Sequence, residues 1–434
     1  MGTLEIGLVL LALLFVLLAG GVWIAMALGV VAWAGMFFFT SSPPALSLFT
    51  AMWSSADSWT LTALPMFIWM GEILFRTKLS DQIFSGLAPW LEWLPGKLMH
   101  VNVLGCGIFG AVSGSSTATC ATIGKVALPE LKKRGYDESM ALGALCGSGT
   151  LGLLIPPSII MVVYAVAANV SILRMFMAGI VPGIMLMGLF SAAIIVWAWL
   201  NPSKTPPGRL RMPFMARVRA TGTLIPSMLL IFFVMFMLLG GFATATEAAA
   251  LGVLGALVLA ALGGSLTRSN FSASVMGATR MTCMIMFIMA ASAFMTVTMG
   301  FTGVPTALAA WVASLNPSPV QLIVVLCAVY IVLGCVLDGV SMIVLTTSIV
   351  LPMVQQAGFD LVWFGIFIVL LVEIAAVTPP VGFNLFVLQA MSGKSALFVA
   401  RAAIPFFAMM VLACALITAF PAIVTWLPDL MMRR

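Results

Sequence analysis

The chain has 434 residues, of which 63% are apolar and 7% charged, with a formal net charge of +6. A soluble protein of that length needs far more polar surface, and apolar runs of about twenty residues recur without barrel alternation, so the expected fold is an all-α polytopic membrane protein. The basic residues stand at loop ends rather than in one patch, which fits cytoplasmic loops of a membrane protein and excludes a nucleic-acid surface.

The N-terminal stretch Met1–Gly21 is apolar, carries Glu5 and has no basic n-region, so it reads as a first membrane helix rather than a cleaved signal. Apolar segments at about 4–20 and 22–40 form a helical pair, followed by a polar, proline-containing loop over Thr40–Ser58. The span 59–76 ends in Arg76 and Lys78. Residues 78–97 mix Trp90, Trp93, Pro95 and Lys97, as expected of an interfacial arm. His100, the only histidine, reads as interfacial rather than catalytic. The seven cysteines lie in apolar segments without metal-ligand spacing and read as small buried hydrophobes.

From 99 to 131 the chain is apolar but interrupted by Ser113-Gly-Ser-Ser116, which leaves two pieces too short to cross comfortably. A re-entrant hairpin follows, closing on a cytoplasmic turn, Lys132-Lys-Arg134. The next span, 137–167, contains Gly149-Thr-Leu-Gly-Leu-Leu-Ile-Pro-Pro-Ser158. Its two prolines remove backbone donors in mid-membrane, predicting a broken helix whose ends face a ligand. The span 174–200 returns, and the proline- and arginine-rich linker 201–220, with Arg209, Arg211, Arg217 and Arg219, is expected on the cytoplasmic side.

The second half repeats the first. Pro129 and Pro352, Gly135 and Gly358, Asp137 and Asp360, Pro156-Pro157 and Pro379-Pro380, and Pro182 and Pro405 are all 223 positions apart. The counterpart of Lys132-Lys-Arg-Gly-Tyr-Asp137 is Gln355-Gln-Ala-Gly-Phe-Asp360, without a basic residue, so one turn is expected inside and the other outside. Two inverted repeats result, 1–200 and 221–434. The second has spans near 222–241, 244–263 and 272–299, an arm at 305–316, a hairpin at 319–354 and a broken helix at 361–391. Lys394 and Arg401 fall on the cytoplasmic side, while Arg433 and Arg434 would lie outside.

At the first tip, hydroxyls and flexible backbone suit coordination of a hard cation or substrate oxygens, or simply close helix packing. The second tip, Leu337-Asp-Gly-Val-Ser341, adds a carboxylate, functional in a membrane hairpin or merely solvated near the surface. Thr150 and Ser158 at the first break, and Thr378, Gly382 and Asn384 at the second, offer further oxygens. Lys125 reads as snorkelling to the cytoplasm. Arg280, Glu247 and Glu373 admit either an interior or a headgroup position. Gly124-Lys125-Val126 lacks the rest of a phosphate-binding loop, and Ser113 has no histidine partner, so no enzymatic activity is expected.

Pro65-Met-Phe-Ile-Trp-Met-Gly71, Leu94-Pro-Gly96, Ile108–Ser116, Lys133-Arg-Gly-Tyr-Asp137, Gly149–Ser158, Pro182-Gly183, Ala245-Thr-Glu-Ala248 and Val377-Thr-Pro-Pro-Val-Gly382 span nearly the whole chain. With these stretches the sequence resembles the DctM-type large membrane subunit of tripartite ATP-independent periplasmic (TRAP) transporters. The resemblance implies an elevator-type, Na⁺-coupled importer of an anionic organic solute in the bacterial inner membrane. Dicarboxylate, sialic acid, keto acid and compatible-solute classes all fit. It also implies two partners, a small four-helix membrane subunit, expected here as a separate chain, and a periplasmic substrate-binding protein. One Na⁺ site would comprise Ser113, Gly114, Ser115, Ser116, Gly149, Thr150, Gly152 and Pro156. A second would comprise Asp338, Gly339, Ser341, Thr378, Pro379 and Gly382. Substrate would lie between the tips against Ser115, Ser116, Pro157, Ser158, Pro380, Asn384 and Arg280. The alternatives are a two-hairpin transporter that needs no binding protein, or a channel.

Overall fold

The computed structural model describes all residues except Met1, Lys78, 207–212, Thr223, 316–317, 335–336, 380–381 and 433–434, and among those described it is helical throughout, without strands. Lys78, Arg209, Arg211, Cys335, Pro380, Arg433 and Arg434, expected above in loops, spans or sites, therefore lie outside the described residues. The first helices are α1 (Thr3–Ala19), α2 (Ile24–Phe39), α3 (Pro44–Ala56) and α4 (Ala63–Phe75). The loop expected over Thr40–Ser58 is mostly the helix α3. Pro44 occupies its first turn, where a missing N–H is harmless, and good helix formers follow. The arm is α5 (Leu79–Leu91), the first hairpin α6 (Met99–Ser113) and α7 (Ser116–Lys133), and the first broken span α8 (Glu138–Ser148), a 3₁₀ turn at Gly149–Leu153, and α9 (Ile159–Ala167). The half closes with α10 (Ile172–Leu200).

The basic linker folds in part as α11 (Phe214–Gly222), packed on the arm through a Trp90 Nε1–H donated to Thr221 Oγ1 at 2.7 Å. Scaffold helices α12 (Ile225–Leu239), α13 (Ala245–Leu262) and α14 (Arg268–Thr302) come next. The second arm is α15 (Val304–Ser314), the second hairpin α16 (Pro319–Gly334) and α17 (Gly339–Gln356), and the second broken span α18 (Leu361–Ala376) and α19 (Phe383–Ser392). The chain ends with α20 (Ala396–Ala419) and α21 (Ala422–Met432). Among the described residues, four helices, α10, α13, α14 and α20, are each long and apolar enough to cross a bilayer alone.

The positions that recur at 223 do the same local work in both halves. Gly135 and Gly358 take φ of 78° and 80°, a region open to glycine. Asp137 then caps α8 by accepting the Met140 N–H at 2.8 Å, and Asp360 caps α18 by accepting from Val362 N at 2.8 Å and Trp363 N at 2.9 Å. Pro129 and Pro352 stand inside α7 and α17, and Pro182 and Pro405 inside α10 and α20.

Packing between the halves is reciprocal. Helix α7 lies against α19 while α17 lies against α9, and α8 lies against α20 while α18 lies against α10. Such exchange of partners is the contact pattern of a two-fold relation. The broken spans form the centre: Val362–Ala376 of α18 and Met140–Ser148 of α8 are buried without interruption. Around them, α14 runs along α2, α3 and α4, and α13 along α4, as a scaffold. His100 is buried rather than interfacial, its Nε2 2.7 Å from the Pro95 carbonyl. Among the described cysteines, Cys106, Cys120, Cys146 and Cys414 are buried and Cys327 partly so, but Cys283 is exposed on α14 rather than in the core.

Candidate functional site

The first tip is shaped by Gly114, which ends α6 in a left-handed conformation (φ 58°), and by Ser115, which begins α7. Ser113 and Thr119 hydroxyls share a hydrogen bond of 2.7 Å, and Ser115 Oγ accepts from Ala118 N at 3.4 Å. The tip side of α6 presses on the first break so closely that a Cβ on Gly110 would lie 2.5 Å from Gly152 Cα. Across the break, a Cβ on Gly149 would meet Cys120 Cβ at 2.8 Å and Asn384 Nδ2 at 3.2 Å. These contacts set the first break, at Gly149 and Gly152, against the two helices that flank the Ser113–Ser116 tip.

Beside the first tip a buried polar bridge links the two halves. Ser116 Oγ donates to Asn384 Oδ1 at 3.0 Å, and Asn384 Nδ2 donates to the Cys146 carbonyl at 3.1 Å, all fully or nearly buried. Ser116 opens α7 and Asn384 lies in the first turn of α19, so two helix N-termini face one another. The same holds on the other side. Gly339, first residue of α17, packs on Ile160, in the first turn of α9, and on Val372 of α18. Helix N-termini present N–H groups and a partial positive charge, which favours an anion, and at α17 the Asp338 carboxylate of the chain itself takes that place. The C-terminal ends of α6 and α8, at Ser113 and Ser148, present carbonyls to the same neighbourhood and favour a cation.

At the second tip Asp338 caps α17, accepting from Val340 N at 3.1 Å and Ser341 N at 3.4 Å, and the Ser341 hydroxyl donates to its other oxygen. The carboxylate is thereby an oriented group of the tip. Thr378 donates to the Ile374 carbonyl at 2.6 Å, and Gly382 N donates to the Thr378 carbonyl at 3.0 Å. Pro379 precedes the undescribed Pro380 and is exposed. At the first break, Ser158 donates at 2.5 Å to the Leu153 carbonyl, which Pro157, lacking an N–H, leaves free, and Thr150 donates to the Gly147 carbonyl at 2.8 Å where α8 gives way to the 3₁₀ turn. One expected member falls outside this assembly: Arg280 is exposed on α14, because its position on that long helix faces away from the buried groups.

Glu373 belongs here, and sequence reasoning left it undecided. It is fully buried on α18, against the Thr150 side chain. Because Thr150 directs its proton to Gly147, both Glu373 oxygens lack a hydrogen-bond donor. The offset of 223 makes Glu373 the repeat counterpart of Thr150, so two equivalent positions touch each other. Only a contact on the two-fold axis can do that, which puts this carboxyl at the centre of the molecule. The signal was available in the offset, but the meeting of the two positions is a tertiary fact.

A family model, "Tripartite ATP-independent periplasmic transporter, DctM component", matches residues 11–423. The chain belongs to the DctM family. The C4-dicarboxylate TRAP transporter large permease protein DctM of Vibrio cholerae is 30% identical over 97% of this chain and 98% of its own length. The ectoine TRAP transporter large permease protein TeaC of Halomonas elongata is 30% identical over 86% of this chain and 87% of its own. The YdaH transporter of Alcanivorax borkumensis, with 11% identity, shares the fold over 88% of each chain at a TM-score of 0.59. This DctM-family chain is therefore a transporter permease subunit and not an enzyme, a multi-pass protein of the inner membrane. The family makes it one component of a tripartite system with a small permease and a periplasmic binding protein. Relatives equally similar to it are named for different solutes.

Proposed function

We propose that this chain is the solute-carrying subunit of a Na⁺-coupled secondary active importer of an anionic organic solute of the carboxylate class. The observation that carries the reading is the facing of helix N-termini, α7 with α19 and α17 with α9, beside the carbonyl ends of α6 and α8. Anion and cation are thereby favoured side by side, which is the arrangement co-transport requires. Na⁺ would be held by Ser113–Ser116 with Gly149, Thr150, Gly152 and Pro156, and by Asp338, Gly339 and Ser341 with Thr378, Pro379 and Gly382. Ser115, Ser116, Pro157, Ser158 and Asn384 would meet the solute. The C4-dicarboxylate name of one relative supports the carboxylate class. The basic turn at Lys132–Arg134 against the uncharged one at Gln355–Ala357 supports inverted repeats, with hairpins and broken spans moving as one body along the scaffold of α2, α4, α13 and α14.

The test is solute uptake into proteoliposomes holding this chain and the small subunit, with binding protein outside. Uptake should require both an inward Na⁺ gradient and the binding protein. Flux that persists without either shows a channel, and Na⁺-driven uptake without the binding protein shows a self-sufficient two-hairpin transporter.

A further inference from the structure

A cavity of about 390 Å³ opens between α7, α8 and the end of α19, outside the tip region. Lys125 and Lys132, seven residues apart and so on one side of α7, both line it, together with Tyr136, Glu138, Met391 and Ser392. Its inner end is Gly124, where a Cβ would meet Met391 Cε at 3.1 Å. Gly124 lies eight residues along α7 from Ser116, about 12 Å at helical rise. The lining stops there, and the Ser116–Asn384 bridge lies farther along the same packed α7–α19 pair.

The charge within it is unbalanced. Glu138 is paired with Lys394 (3.1 Å), and the nearby Glu130 and Asp137 are paired with Arg134 (2.6 Å) and Lys204 (3.7 Å). Among the described residues no carboxylate pairs with Lys125 or Lys132. Burial pushes the Tyr136 phenol up, so it stays a neutral hydroxyl. Topology alone explains Lys133 and Arg134 in the turn. It does not require a lysine at 125, two turns inside α7 and on its cavity side. On the other repeat the counterparts of Lys125, Lys132 and Tyr136 are Ser348, Gln355 and Phe359, so the feature exists at one end of the molecule only.

We propose that this cavity is an anion-binding cytoplasmic vestibule, in which Lys125 and Lys132 hold a solute carboxylate leaving the Ser116–Asn384 junction. The inference rests on the transport reading above. Ser392→Cys, with Cys283 and Cys335 replaced by Ser, gives a thiol on the cavity wall for labelling in the assembled permease. The anionic sulfonatoethyl thiosulfonate should react faster than the cationic trimethylammonium reagent, and Lys125→Gln with Lys132→Gln should lower that rate ratio about tenfold, as local focusing of anions predicts. Arginine at both positions should restore it, which separates a charge effect from misfolding. Succinate, as a carboxylate probe on the cytoplasmic side, should slow labelling with the lysines present and not without them. An unchanged ratio overturns the proposal. So does a lowered ratio with no succinate protection and less co-purified anionic phospholipid, which marks a lipid headgroup site. Failure of the transport reading shows instead as wild-type protein without Na⁺-driven uptake.

Discussion

The two hairpins share a backbone plan and differ in chemistry. The arms that follow their tips, Ser116–Lys133 and Gly339–Gln356, begin 223 residues apart and have equal length, yet one begins with a serine and the other with a glycine. Ser116 reaches Asn384 through a buried hydrogen bond, whereas Gly339 meets Ile160 and Val372 through apolar contact. The counterpart of Asn384 is Met161, so no equivalent bridge can form in the other half. At the tips themselves, the first offers neutral hydroxyls and the second a carboxylate oriented by three donors. The cavity lined by Lys125 and Lys132 differs in the same way, since neither counterpart, Ser348 or Gln355, is a lysine. A duplicated frame supplies two reciprocal clefts, and substitution within it gives each a different set of polar groups.

The largest effect should come from a close backbone contact peculiar to the first repeat. Gly110→Ala places a Cβ against the Gly152 backbone, where neither side can yield, and should cost about 2–3 kcal/mol and most uptake. The counterpart is Leu333, already a large side chain, so Leu333→Ala should cost clearly less. Thermal unfolding of the purified permease compares the two, and equal losses would erase the asymmetry.

Asn384→Ala leaves the Ser116 hydroxyl and the Cys146 carbonyl unpaired in the interior and should destabilise by about 2 kcal/mol. Uptake should fall at least tenfold, in line with loss of oriented binding groups. Met161→Leu at the matching position conserves volume and should leave both quantities nearly unchanged.

Glu373 and Thr150 break the symmetry on the axis itself. Glu373→Gln should fold as well as wild type, and Glu373→Leu should be equally stable or gain about 1–2 kcal/mol, since an unpaired buried carboxyl is replaced by an apolar group of similar size. A fall in uptake in the same variants would show that the carboxyl is retained for transport. Strong destabilisation by Glu373→Leu would instead mean that it has a structural partner.

The smallest change in stability is expected at the second tip. Asp338→Asn keeps a capping oxygen and should shift stability by under about 1 kcal/mol. Its Na⁺ half-saturation should nevertheless rise about tenfold, because a charged ligand is lost. Ser115→Ala, with a neutral hydroxyl and a long 3.4 Å cap, should raise it less. The reverse ranking would make the first tip the dominant cation site.

Composition and helix-breaking residues determined a great deal without coordinates. Hydrocarbon tolerates only helices and closed barrels, so apolar length without barrel alternation set the membrane class. Prolines and glycines act on their own backbone, so the hairpins, the breaks and the repeat were legible from single positions such as Gly135, Asp137 and Pro156. Charge in short turns, also local, suggested which turn faces inward. The helix at Pro44–Ala56 was missed because polar loop composition and helix propensity compete there, and packing against α14 favours the helix. Pairings between side chains far apart in sequence were decided only by the tertiary structure. It joined Ser116 to Asn384 across 268 positions, placed Glu373 on Thr150, turned Arg280 away from the centre and opened the cavity beside Lys125. Those contacts depend on how the helices are rotated and stacked, which many distant side chains set together and no local pattern encodes.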